Sequence, residues 1–384
     1  MKRFLAALLA ACCLCSLAAC GETTPENPPA PPAEEEPLPP APPPPPTEEE
    51  RAAALLSTMT TAEKVGQLFF VRVPASDALA DISAYHPGGY LLFGRDTSGQ
   101  TKESLTATIA AYQTAAGAIP LLIGVDEEGG KVVRVSSNAA LREKKFQSPQ
   151  TLYAKGGLEA ILADTREKDA LLRELGFNLN LAPVADVSTH SKDFMYPRTL
   201  GQDAAETAAY VAAVVEQMQQ DGMGSALKHF PGYGDNVDTH TGIATDKRTL
   251  TQFRESDFLP FAAGIAADVP AILVSHNLMT CVDETLPASL SPAVHALLRE
   301  ELGFTGVVMT DDLAMEAVAA YAGDGSVAEL ALRAGNDLII TTDYRTQIPK
   351  VLAAVDSGAL DEELINAACI RVLVLKMRLG LLEI

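Results

Sequence analysis

From about residue 51 to the C-terminal end, short apolar runs alternate with longer amphipathic stretches. The runs fall at 65–73, 89–93, 121–125, 178–183, 225–229, 271–275, 307–310 and 338–341. They are rich in β-branched and aromatic residues, and their apolarity is continuous rather than alternating. That is the pattern of strands buried on both faces. Helical periodicity occupies 102–118, 204–221, 292–302 and 328–334 between them, and Thr60-Thr61-Ala62-Glu63 carries the residues of a capping box. Eight strand–helix units predict an α/β fold, a (β/α)8 TIM-type barrel forming a single domain over 51–384. No Gly-x-Gly-x-x-Gly follows the first run, so a dinucleotide fold has no support.

The first fifty residues have a different texture. Met1-Lys2-Arg3 is a short basic start, and Phe4 to Ala19 is an apolar stretch of signal-peptide length. It is shorter than the ~20 residues of a comfortable membrane span. Its end, Leu17-Ala18-Ala19-Cys20-Gly21, resembles the bacterial lipobox, which implies a lipoprotein signal peptide at 1–19 and a lipid on Cys20; a plain secretory signal is the alternative. Residues 21–50 hold thirteen Pro and eight Glu with no basic residue. Such a segment cannot bury enough apolar surface to offset its ordering entropy, and is expected to be a disordered, extended tether. The expected location is the cell envelope, outside the cytoplasm and lipid-anchored to a membrane.

Charge narrows the partners. The 384 residues include 50 acidic and 29 basic ones, a formal net charge of −21, without long basic runs. A phosphate-backbone binder needs clustered Lys and Arg, so nucleic acid is set aside. Four of six Cys lie in the first twenty residues, leaving Cys281 and Cys369, which are no disulfide framework and are read as buried small hydrophobes. The chain has no Trp, so any stacking on a sugar falls to Tyr, Phe or Met.

Ionisable residues gather where the runs end. Asp126-Glu127-Glu128-Gly129-Gly130, Lys228-His229-Phe230-Pro231-Gly232, Ser275-His276-Asn277 and Thr310-Asp311-Asp312 each close one. In a barrel the C-terminal strand ends build the active site, so this clustering points to an enzyme. Asp312 is the better helix cap and Asp311, nearer the strand, the better chemical group. The Gly-rich loop after 225–229 carries Asp238 and His240, and a carboxylate so placed can orient an imidazole and raise its pKa.

Together these stretches resemble glycoside hydrolase family 3 in its single-domain β-N-acetylglucosaminidase form. The resemblance rests on Lys228-His229-Phe230-Pro231-Gly232-Tyr233-Gly234 leading to Asp238-Thr239-His240, and on Thr310-Asp311 with Met315 downstream. It rests also on Asp126 with Glu128-Gly129-Gly130 and Arg134, and on Leu181 to Asp186 followed by Arg198. It spans about 55–380. By resemblance Asp311 is the nucleophile, His240 the general acid/base and Asp238 its partner. Asp126, Arg134, Arg198, Lys228 and His229 would hold the sugar, with Met315 beside them. One departure is Tyr233, where the family usually has His; a Tyr cannot titrate near neutrality.

The implied reaction is retaining, exo-acting removal of terminal β-linked N-acetylglucosamine from peptidoglycan fragments or related glycans, through a covalent glycosyl-Asp intermediate. Retention needs one attacking carboxylate and one acid at the leaving oxygen, and a His can supply that proton. No cofactor or metal is implied, and the chain is expected to act as a monomer. Alternatives stay open: a β-glucosidase or β-xylosidase, a phosphorylase, a zinc hydrolase using His229, Asp235, His240, His276 and Asp311, or a non-catalytic wall-binding lipoprotein. His86, His190 and His295 are read as structural or solvated. His276 is a second candidate for the site wall, and Asp186 a backbone brace.

Overall fold

The computed structural model describes residues 45–234, 236, 244–315, 318, 320–323 and 325–383. Cys20, most of the Pro-rich segment, Asp238 and His240 lie outside them. Thr60 caps the helix Thr61–Gln67 through a reciprocal box with Glu63. That helix takes Val65 to Gln67 out of the first apolar run, so β1 is confined to Phe69–Arg72. The other strands are β2 (Gly89–Leu92), β3 (Leu122–Val125), β4 (Leu179–Asn180), β5 (Gly224–Phe230), β6 (Ala271–Val274), β7 (Val307–Thr310) and β8 (Ile339–Thr341). The run at 178–183 shortens to two residues, because Pro183 lacks the donor a ladder requires.

Each strand pairs in parallel with its chain neighbour, and β8 returns to β1 with Phe69 opposite Ile339. A parallel bridge between Met309 and Leu338 joins β7 to β8 and closes the ring. The expected barrel is the observed one. Its interior is filled by matching large residues with small ones. The Phe70 ring lies where a side chain at Gly124 would stand: a Cβ there would come within 2.3 Å of Phe70 Cζ.

Around the barrel, the predicted helices appear as Lys102–Ala116, Ala204–Gln220 and Val327–Ala334. The stretch 292–302 divides into Pro292–Ala296 and a π-turn at Leu297–Glu301. The longest helix, Pro149–Leu175, bends at Gly156 and Gly157. Cys369 is buried as expected, but Cys281 is exposed and both thiols are free. Cys281 follows directly on Thr280, in the surface turn that closes the short strand Leu278–Met279.

The helix Glu362–Arg378 crosses the N-terminal ends of the strands. Lys376 meets Gln67 just before β1, Arg371 Nη1 is 2.8 Å from Asp337 just before β8, and Leu379 packs on Gly224 at the start of β5. A further helix, Glu48–Leu56, capped by Thr47, packs on this plug and pairs Glu48 with Arg378 at 2.8 Å. The texture change at residue 51 falls inside that helix. The chain therefore enters the barrel at the end opposite the strand C-termini.

Lys376 is fully buried, its ammonium donating to the Gln67 amide oxygen at 2.5 Å. Burial without a carboxylate partner pushes its pKa down to about 7 from an ordinary 10.5. Between those values the unfolded chain binds the extra proton, so this contribution to stability rises with pH and is lost as pH falls through the window. Lys376→Met should melt higher than the parent at pH 7, by roughly the 2–4 °C that 1 kcal/mol is worth in a domain of this size. The gap should close as pH is raised towards 10. Thermal melts across that range provide the measurement.

Candidate active site

Side chains alternate along a strand, so residues two apart face the same way. Phe70 fills the barrel, and Arg72, two residues on, opens at its mouth. The same step carries β2 from Gly89 to Leu91 and Phe93, β3 from Gly124 to Asp126, and β7 from Met309 to Asp311. These mouth positions line one cavity of about 300 Å³, with Leu181, Arg198, Leu273, Met315 and Ile340. Lys228 and His229 are adjacent, and simple alternation would send them to opposite faces. A register shift between Leu227 and Phe230 lets both reach the cavity.

The basic and acidic groups form a connected buried network. Lys228 Nζ is 2.7 Å from Asp126 Oδ1 and 2.7 Å from Glu128 Oε1. Arg198 donates to both Glu128 oxygens, at 3.0 and 2.6 Å, and its Nη2 is 3.2 Å from His229 Nε2. Asp186 accepts from the His229 and Tyr233 backbone N–H groups and lies 2.7 Å from His229 Nδ1. The expected brace thus orients the imidazole as well as the chain. Burial opposes a charged Glu128, but Lys228 and Arg198 outweigh it and hold its carboxyl well below the usual range.

Arg134 reaches the site on a turn built around a buried carboxylate. Glu127 accepts the backbone N–H groups of Arg134 and Val135 at 2.7 Å and of Ser136 at 3.1 Å. Gly129, at φ +99°, allows this turn to pass Gln147, whose carbonyl would stand 2.3 Å from any Cβ there. Arg134 then sits 3.8 Å from Asp126.

Asp311 emerges from β7 with its N–H bonded to the Val274 carbonyl, and its Oδ1 accepts the Asp312 N–H at 2.8 Å. Asp312 caps locally, accepting from Ala314 N–H at 2.9 Å, and burial raises its pKa. His276 does not stand in the cavity wall. It is buried with Nδ1 2.7 Å from Ser289 Oγ and Nε2 3.2 Å from the Asp312 carbonyl, bracing the turn that presents the two acids.

The loop towards Asp238 and His240 leaves through Gly232 and returns through Asp246. Both feet meet Arg248, which bonds the Gly232 carbonyl at 3.0 Å, Asp246 at 2.7 Å and Asp257 at 2.7 Å. Tyr233 is buried at the outgoing foot, edge-on to His229 at 5.3 Å between ring centres.

Six of the expected sugar-side residues, Asp126, Arg134, Arg198, Lys228, His229 and Met315, therefore surround Asp311 in one cavity. Asp238, His240 and Cys20 fall outside the described residues. Sequence reasoning missed Arg72, Phe93 and the hub role of Glu128. The signal for Arg72 was a cation in phase with Phe70 at the end of an apolar run.

A closed parallel barrel with carboxylates and a cationic network at its C-terminal mouth defines the class, a barrel enzyme, and comparison with known proteins makes it a glycoside hydrolase. The profile described as "Glycosyl hydrolase family 3 N terminal domain" matches residues 60–375, and the chain belongs to that family. The chain is 34% identical over 278 residues to a protein named beta-hexosaminidase from Stenotrophomonas maltophilia strain K279a, covering 71% of this chain and 81% of that one. It is 30% identical over 331 residues to beta-hexosaminidase LpqI of Mycobacterium tuberculosis, covering 83% of each. A solved family 3 beta-N-acetylglucosaminidase from Paenibacillus sp. str. FPU-7 superposes with TM-score 0.78 and 34% identity, over 84% of this chain and 63% of that one. The solved M. tuberculosis LpqI gives TM-score 0.75 and 29% identity, over 84% and 95%.

Glu128→Gln should remove the counter-charge shared by Lys228 and Arg198, lowering stability by about 3 kcal/mol. Because the folded pKa is depressed, Glu128 contributes stability above the ordinary carboxylate range and loses it progressively as pH falls below that range towards the depressed folded value. Melts at neutral and acidic pH should therefore show a large gap between parent and variant at neutrality and a smaller one in acid.

Proposed function

We propose that this chain is a retaining, exo-acting β-N-acetylglucosaminidase that removes terminal β-linked N-acetylglucosamine from peptidoglycan fragments or related glycans. The observation carrying this reading is Asp311, held at the β7 end by its own Oδ1 contact and facing a cavity ringed by Asp126, Arg134, Arg198, Lys228 and His229. About 300 Å³ is at the small end of ligand sites, suited to one sugar ring rather than an extended chain. The names of the relatives support the N-acetylhexosamine specificity.

In this mechanism the Asp311 carboxylate attacks the anomeric carbon while His240 gives its proton to the departing glycosidic oxygen. Water, deprotonated by the now neutral His240, then releases the sugar and frees Asp311. Asp238 keeps His240 oriented and charged. Lys228, Arg198 and Asp126 fix the sugar hydroxyls, so that the reacting carbon is presented at attacking distance.

We also propose that Cys20 carries a lipid and that the Pro- and Glu-rich segment expected over 21–50, shortened by the helix that begins at Glu48, acts as a spacer to a membrane. Support comes from the Leu17-Ala18-Ala19-Cys20 junction and from the Pro- and Glu-rich composition of the segment that follows it. No helix of the described residues is long and apolar enough to cross a membrane.

Asp311→Asn should abolish turnover of an aryl N-acetylglucosaminide while the melt persists, and a fluorinated slow substrate should label the peptide at Asp311. Label on Asp312 instead would overturn the assignment. Cys20→Ser should leave the precursor unprocessed or free the protein from membranes. Fractionation of mature variant with membranes, as for the parent, would refute the anchor.

A further inference from the structure

Arg72 is the cation of the cavity that the proposed reaction leaves unused. It stands in the inward row of β1, one step above Phe70, and lines the same cavity as Asp311. Its guanidinium lies over the Phe93 ring at 4.0 Å, and its buried Nε has no hydrogen-bond partner. Among the described residues Arg72 forms no ion pair, whereas Arg134 pairs with Asp126, Arg198 with Glu128, and Lys228 with both. Stacking on Phe93 holds the guanidinium in place while leaving its N–H edge open.

The charge around the cavity points the same way. Four basic side chains, Arg72, Arg134, Arg198 and Lys228, line it against three carboxyls, Asp126, Asp311 and Asp312. That excess of positive charge occurs in a chain of net charge −21. Three of the four are committed to carboxylates of the protein, and the fourth is presented to whatever enters.

We propose that Arg72 forms a subsite for a carboxylate carried by the substrate, on the sugar to which the terminal N-acetylglucosamine is linked. The proposal rests on the N-acetylglucosaminidase reading, in which the terminal sugar is neutral and any acidic group belongs to the leaving side. A guanidinium is suited to the task, since its fork matches a carboxylate with two parallel N–H···O bonds. The subsite would make this enzyme prefer acidic glycans over neutral ones of the same linkage.

The test uses two disaccharides in which N-acetylglucosamine is β-linked to a sugar bearing either a free carboxylate or its primary amide. For the full-length parent at low salt, kcat/KM should be at least about ten-fold higher for the acid, a preference weakened by added salt. Arg72→Gln should bring the acid-to-amide ratio close to one, and Arg72→Lys should keep part of it. Equal rates for acid and amide in the parent overturn the proposal, as does an Arg72→Gln ratio equal to the parent's. If Arg72→Gln fails to fold, the Arg72→Lys ratio decides: an undiminished preference overturns the subsite. If the parent turns over neither disaccharide nor an aryl N-acetylglucosaminide, the reaction reading falls. The carboxylate subsite is then judged alone, by calorimetric binding of the same acid and amide to parent and variant.

Discussion

Lys228 is a buried ammonium that two carboxylates reach at 2.7 Å, and the geometry of the mouth follows from that contact. An isolated charge at such a site would be neutralised or expelled. Asp126 and Glu128 keep it charged, and Glu128 in turn holds Arg198 through two hydrogen bonds. Arg198 approaches His229, whose other nitrogen is taken by Asp186, and Asp186 secures the backbone entering the loop at Tyr233. Each member has its polar atoms occupied by the next, so side chains from β3, β5 and two loops are locked with little rotamer freedom. Preorganisation of this kind is what a sugar-binding site requires.

The two ends of the barrel treat buried lysine differently. At the mouth Lys228 sits between carboxylates; at the opposite end Lys376 has the Gln67 amide and pays a desolvation penalty that appears as a pKa near 7. The first arrangement holds charge where a ligand can meet it. The second belongs to the plug helix Glu362–Arg378, which closes the barrel floor and receives the incoming helix Glu48–Leu56. The cavity and the entry of the chain into the barrel are thereby separated by the length of the strands.

Much of this was legible in the chain. Continuous apolar runs do mark parallel strands buried on both faces, and eight of them with intervening helices leave few alternatives to a closed barrel. Acids and bases at the ends of those runs had to meet at one mouth. Less legible were His276, which reads as a site residue by position yet is turned into Ser289 and the Asp312 carbonyl, and Cys281, which the turn after Thr280 leaves exposed. Local sequence says where a side chain starts, not which neighbour captures it.

The sequence by itself determined the strand count, the parallel topology and the set of ionisable groups at the barrel mouth, because periodicity and strand ends are local properties. Only the tertiary structure decided which cation is matched to which acid. Lys228 and Glu128 are 100 residues apart, and their pairing depends on a bulge in β5 that no hydrophobic pattern announces. The same holds for Arg72. Its inward direction follows from Phe70 two residues earlier, but that it meets Phe93 rather than a carboxylate is a fact of packing between strands. Long-range contacts of this kind are set by the closure of the barrel, and closure is a property of the whole chain.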